Sequence, residues 1–128
     1  MKGVLVVGHG SRQKKTEQTL EAVVEMARLT LPEMPMEIAY MEFGAQNIPA
    51  GLSALVARGA KSIVVAPYFL FDGIHLREDI PNALDAYRKA HPDVEIVLGR
   101  PFGVDARLGA LLADRVREAL EVRPSAFG

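Results

Sequence analysis

The chain contains no cysteine. That excludes disulfides, thiolate nucleophiles and thiolate metal sites, so any metal must be held by His, Asp, Glu or backbone oxygen. Charge of either sign is not in excess. A formal net charge of -1 offers no basic surface to attract nucleic acid, and no acidic run of the kind found in disordered tails. No apolar stretch is long enough to span a bilayer. After Met1 and Lys2 the sequence passes into strand-like residues without a charged-then-apolar leader. The expectation is a cytoplasmic protein with no membrane and no nucleic-acid partner. Motifs of the HExxH and phosphate-loop lysine types are also missing.

What is present suits one soluble domain. The 128 residues are 49% hydrophobic, enough to bury a core and too few for two typical domains. Four short β-rich runs, at residues 4–7, 36–41, 62–66 and 94–98, alternate with helical patterns at 16–31, 48–58, 79–91 and 105–122. The run SIVVA (62–66) is nearly continuous apolar sequence, as in a strand covered on both faces. VEIVL (94–98) carries a charge and suits an edge. Leu20, Val23, Val24, Ala27 and Leu31 recur at helical spacing, as do Leu108, Leu111, Leu112, Val116 and Leu120. Both faces are expected in the core. Gly59 is a good stop for one helix. Asp79 with Pro81 reads as the start of another, with Pro92 beyond its end. Residues 1–122 are expected to form one domain and 123–128 a flexible tail.

Strand–helix alternation predicts an α/β fold: a four-stranded parallel sheet flanked by helices on both faces. Ligands in such folds bind beyond the carboxyl ends of the strands. Four glycine-bearing loops fall on that edge. They contain Gly8-His9-Gly10-Ser11-Arg12, Glu42-Phe43-Gly44, the segment 67–75 ending in Gly73-Ile74-His75, and Gly99-Arg100-Pro101-Phe102-Gly103.

His9 and His75 are the candidate metal ligands and proton acceptors, and Glu42 is the candidate carboxylate. Two imidazoles and a carboxylate suit a borderline divalent ion such as Co²⁺, Ni²⁺, Fe²⁺ or Zn²⁺. His91, beside Pro92 at a helix end, reads as structural. Two roles are open to Ser11: contact with an anion among backbone N–H groups, or N-cap of the next helix. Arg12 and Arg77 are candidate anion contacts. Tyr68, Phe69, Leu70 and Phe71 either form a loop against a flat hydrophobic ligand or partner, or extend the third strand into the core.

Three stretches carry a resemblance. VLVVGHGSR, APYFLFDGIHLREDIP and GRPFGVDARLGALLADR together resemble the short-form sirohydrochlorin cobaltochelatases, the ATP-independent class II metal chelatases. The likeness spans residues 4–117, and the central stretch is its specific part. It implies a three-layer chelatase-like (flavodoxin-like) domain that pairs as a homodimer, since longer relatives carry two such units. It implies a lyase-class reaction: insertion of Co²⁺ into sirohydrochlorin, a tetrapyrrole with eight carboxylates, on the anaerobic cobalamin route. No cofactor beyond the substrate metal is implied. Relatives of the same fold insert Fe²⁺ or Ni²⁺. The family's metal-binding histidines fall on His9 and His75, and an assisting carboxylate on Glu42. Gly8, Gly10, Ser11, Arg12 and Arg77 are then expected to face substrate carboxylates, with Phe69, Leu70 and Gly73 near the ring. Other readings fit less well. A histidine phosphatase needs an arginine where Gly8 stands, and a receiver-like module needs acidic residues at the end of the first strand. A unit that only binds metal or tetrapyrrole is the non-enzymatic alternative.

Overall fold

The computed structural model describes residues 1–122, the side chain of His75 excepted. The tail expected at 123–128 lies outside the described residues. Along the chain run β1 (Lys2–Gly8), α1 (Lys14–Thr30), β2 (Met36–Tyr40), α2 (Ile48–Ala57), β3 (Ser62–Pro67), one π-helical turn (His75–Asp79), α3 (Ile80–Ala90), β4 (Glu95–Leu98) and α4 (Ala106–Glu121). The sheet is parallel, in the order β2-β1-β3-β4. Val4 pairs with Met36 on one side and with Val64 on the other.

The winding follows from chain direction. The step from β1 to β2 runs one way along the sheet, and the steps to β3 and β4 run the other way. Right-handed crossovers therefore place α1 on one face and α2 with α3 on the opposite face. The two cores agree. Val4, Val6, Met36 and Tyr40 pack with Leu20 and Val24 of α1. Leu5, Val7, Ile63, Val65 and Ile96 pack with Leu52 and Leu55 of α2 and Ile80, Leu84 and Tyr87 of α3. Alternation along each strand sorts its side chains between these two layers.

Local signals account for the boundaries. Asn47 caps α2 by accepting from the Ala50 N–H at 3.0 Å. Past Arg58, Gly59 adopts φ +100, and the Gly59 and Ala60 amides donate back to Val56 and Leu55. This is the paired C-terminal closure that glycine permits. His91 stacks on Tyr87 with ring centroids 4.0 Å apart, in keeping with a structural role. Both sheet edges are blunted. Arg28 donates to the Met36 carbonyl and Gln46 to that of Ile38 on β2, and Arg88 donates to the Ile96 carbonyl on β4.

Three expectations need correction. Ser11 is not the N-cap of α1. The cap position is Gln13, and Ser11 Oγ instead accepts the Gln13 N–H in a local turn. The helix expected from Asp79 is preceded by the π-helical turn, which the Arg77 N–H to Gly73 carbonyl bond opens at 3.0 Å. The apolar face of α4 is not in the core either. None of its residues is buried, and Leu112 and Leu120 are 68% and 78% exposed. Its amphipathic pattern is real, but within this chain nothing described buries it.

Leu52 is fully buried in the core that α2 forms with β1, β2 and α3. Leu52→Ala is expected to cost about 2–5 kcal/mol, the range for an interior leucine whose cavity only partly collapses. Guanidinium denaturation measures it.

Candidate functional site

The loops after β1 and β3 diverge to opposite faces of the sheet, since the first leads to α1 and the second to α3. Neighbouring strands whose exits part in this way leave a crevice between them. The loop after β1 carries His9, and the segment after β3 carries His75 at the first position of the π-helical turn.

β1 and β2 stay in register beyond the ends of the strands. The Met41 N–H donates to the Gly8 carbonyl at 3.0 Å, and the Glu42 N–H donates to the His9 carbonyl at 3.2 Å. That approach depends on Gly10. Its φ is +96, and a Cβ there would collide with the Glu42 carbonyl. Gly8 acts differently. A Cβ would stand 2.7 Å from Leu20 Cδ2, so any larger residue would force that side chain of α1 to shift. The close backbones bring His9 Nε2 within 3.4 Å of Glu42 Oε1, with both side chains about half exposed. Each can reach a solvent-borne ion, and the carboxylate can orient the imidazole. The histidine between two glycines thus sits where the main chain is thin enough to hold it against the neighbouring strand.

The other expected residues are placed as follows. The Arg12 guanidinium lies over the Phe43 ring at 4.7 Å. Phe43 is itself held at φ +58, a conformation costly for a bulky side chain. Ser11 lies in its local turn, and Arg77 is exposed. Nothing stands within 4 Å of where a Gly73 Cβ would be, so that position borders open space. The aromatic segment divides. Tyr68 and Phe69 pack against the two cores, whereas Leu70 and Phe71 are 51% and 79% exposed. The side chain of His75 lies outside the described residues. Among those described, no group of three or more His, Asp or Glu side chains is gathered for a metal; His9 and Glu42 are the pair brought together.

Two hollows flank this edge. One, of about 520 Å³, is lined by Gly8, His9, Gly10, Thr16, Thr19, Leu20, Tyr40 and Tyr68. The Tyr40 hydroxyl is buried without a hydrogen-bond partner among the described residues. Burial, then the charges of Glu17 and Glu21, push its pKa above the ordinary value. The second, of about 400 Å³, is lined by Arg100, Pro101, Phe102, Asp105, Arg107 and Leu108. Phe102 meets Tyr68 edge-on at 5.1 Å, and the Phe102 and Gly103 amides donate to the Phe69 and Leu70 carbonyls. The loops after β3 and β4 are thereby joined. Asp105 caps α4 and grips Arg107 through both carboxylate oxygens. Those hydrogen bonds hold its carboxyl far below the usual range. Sequence reasoning assigned no role to Tyr40 or Arg100. The alternation Met36, Ile38, Tyr40 would have placed Tyr40 on the α1 face, and Arg100 stands in a glycine loop already on the ligand edge.

The CbiX family model matches residues 3–119, nearly the whole described chain. The chain belongs to the CbiX family. Within and around that family it is 32% identical to a sirohydrochlorin cobaltochelatase of Methanothermobacter thermautotrophicus, over 92% of each chain. It is 33% identical to a sirohydrochlorin ferrochelatase of Priestia megaterium over 92% of its own length and 44% of the relative's. The sirohydrochlorin chelatase SirB of Bacillus subtilis subspecies spizizenii, solved in complex with cobalt, superposes with a TM-score of 0.86 at 31% identity. The match covers 91% of this chain and 50% of that one. This CbiX chain thus spans about half the length of the longer relatives and nearly all of the shorter one. The fold it shares with them is the three-layer α/β domain described above.

Two outcomes check this geometry. Gly10→Ala is expected to lose at least about 1–2 kcal/mol from the left-handed backbone alone, more once the Glu42 carbonyl is displaced; guanidinium denaturation against the parent measures the loss. In an ultraviolet titration, one of the three tyrosines should ionise above the ordinary value near 10. Because the folded pKa of Tyr40 is raised, its contribution to stability is complete below pH about 10 and is lost as pH rises through the folded value. Tyr40→Phe should abolish both signals.

Proposed function

We propose that this protein is a sirohydrochlorin cobaltochelatase that inserts Co²⁺ without ATP. The observation that carries the reading is the His9–Glu42 pair held at the crevice where the exits of β1 and β3 diverge. The relatives named above support it, and the full-length match to a cobaltochelatase favours cobalt.

The reaction exchanges two protons for one metal ion. Two pyrrole N–H bonds break, four ring nitrogens bind the metal, and two protons leave. A histidine, which titrates near neutral pH, can carry metal or accept a proton under the same conditions. His9 and His75 divide these two roles, and Glu42 assists as ligand or proton acceptor. Few protein ligands means that coordination positions stay open for the ring nitrogens. The backbone of Gly8, Gly10 and Ser11, with Arg12 and Arg77, meets substrate carboxylates. Phe69 and Leu70, with the open space at Gly73, lie along the ring. No cofactor beyond the substrate metal is needed. The protein acts in the cytoplasm as a homodimer, the second copy supplying the half that longer relatives carry in one chain. None of the described helices is long and apolar enough to cross a membrane.

Insertion of Fe²⁺ is the second reading, favoured by the identity to a ferrochelatase; Ni²⁺ is a third metal for the same donors. The deciding experiment is anaerobic incubation with sirohydrochlorin and each of Co²⁺, Fe²⁺ and Ni²⁺, followed by the tetrapyrrole absorption spectrum. Co²⁺ insertion should be fastest, and His9→Ala should slow it by roughly 10²–10⁴-fold, the usual worth of a positioned proton acceptor. Fastest insertion of Fe²⁺ or Ni²⁺ would reassign the metal. No acceleration with any metal would leave a unit that only binds metal or tetrapyrrole.

A further inference from the structure

The two hollows at the ligand edge share a wall. Tyr68 lines the one that holds His9, Phe102 lines the one that holds Arg100, and their rings meet edge-on at 5.1 Å. The wall is fixed in place, because the Phe102 and Gly103 amides donate to the Phe69 and Leu70 carbonyls. Three charged side chains line the second hollow: Arg100, Asp105 and Arg107. Asp105 and Arg107 offset one another through two side-chain hydrogen bonds, at 2.9 and 2.8 Å. Arg100 is left over. It is exposed, it makes no hydrogen bond or ion pair among the described residues, and it acts on Asp105 only through its charge. Pro101, Phe102 and Leu108 supply the rest of the lining. The hollow therefore presents one uncompensated guanidinium beside apolar walls. Such a group is suited to a carboxylate, which it can grip through two parallel N–H groups.

From this we infer that Arg100 determines substrate specificity: its guanidinium takes a carboxylate on the rim of the tetrapyrrole while the ring centre stands at His9. The inference rests on the chelatase reading above and extends it, since no residue assigned there comes from the loop after β4. The strand order supplies the reach. Only β3 separates β1 from β4, so the exits of those two strands lie about 10 Å apart. A flat ring centred at the exit of β1 lies along the Tyr68–Phe102 wall. An arm on its edge then enters the hollow of about 400 Å³ that Arg100 lines. On the other side of His9 stands Arg12, over the Phe43 ring at 4.7 Å, beside the exit of β2. The two arginines bracket the ligand edge. A ring with carboxylates on opposite sides is held at both ends. A ring without charge on one side leaves a guanidinium unpaired against apolar walls, and that loss is the discrimination.

Binding is measured first, without metal. Sirohydrochlorin is titrated anaerobically with the parent protein and with Arg100→Ala, Arg100→Lys and Arg115→Ala, and the tetrapyrrole absorption gives each Kd. Arg115 lies on α4 away from the hollow, paired with Glu118, so its removal changes net charge by the same amount. Arg100→Ala is expected to raise Kd roughly tenfold, as for the loss of one charge-assisted hydrogen bond. Arg100→Lys should fall between it and the parent, since the charge remains and the fork is lost. Arg115→Ala should bind as the parent does. The parent's Kd should rise with salt, and that of Arg100→Ala should rise less steeply. In the insertion assay Arg100→Ala should raise KM and leave kcat within about twofold, because Arg100 holds the rim and not the reacting nitrogens. An Arg100→Ala chain that binds sirohydrochlorin as tightly as the parent would overturn the inference. An equal loss in Arg115→Ala would overturn it too, since net charge alone would then be the cause. A parent that binds with this dependence on Arg100 but inserts no metal would leave the site standing and remove the enzymatic reading. A parent that does not bind sirohydrochlorin would overturn both.

Discussion

The pairing of β1 with β2 on one side and β3 on the other is the constraint from which the rest follows. A parallel sheet cannot turn back by hairpins, so each strand must be left by a helix that climbs over one face. β1 sits where the direction of climb reverses. Its loop turns toward α1, and the loop of its neighbour β3 turns toward α3. The crevice between them is therefore a product of strand order, not of any particular side chain. Gly8 and Gly10 then determine how closely α1 and the end of β2 approach that opening. His9 inherits its position from these backbone facts. The chemistry is grafted onto a place that the winding creates.

The alternation of patterns made much of this legible. Four apolar runs and the helices between them define the sheet and its winding, and the handedness rule does the rest. Boundaries shifted by a residue or two where backbone bonding outran the apolar pattern, as when β1 extended through Gly8. The π-helical turn was illegible because Asp79 and Pro81 give a strong start signal that hides helical bonding already begun at Gly73. Ser11 failed as a cap for a related reason. Its hydroxyl found a closer amide at Gln13, and side-chain preference cannot say which nearby N–H will win. The pairing of His9 with Glu42 lies beyond pattern altogether. It depends on Gly10 taking a left-handed backbone against a carbonyl far away in sequence.

The failed expectation for α4 has a different cause. Amphipathic spacing reports that a helix has an apolar side. It does not report which molecule covers that side. Within one chain Leu112 and Leu120 face outward, and the same pattern that places Leu20 and Val24 in the core places these at a surface. Leu70 and Phe71 illustrate the same limit, since they continue the apolar run of β3 yet stand outside both cores.

The blunted edges of the sheet carry a consequence for how the protein can grow. Arg28, Gln46 and Arg88 occupy carbonyls that would otherwise invite another strand. Neighbouring molecules are thereby denied the hydrogen bonds needed to add their sheets end to end. Ribbon-like polymerisation and fibril templating are closed off at both rims. Contact between copies is left to the broad faces and the helix, where side-chain shape rather than backbone repetition sets the partner.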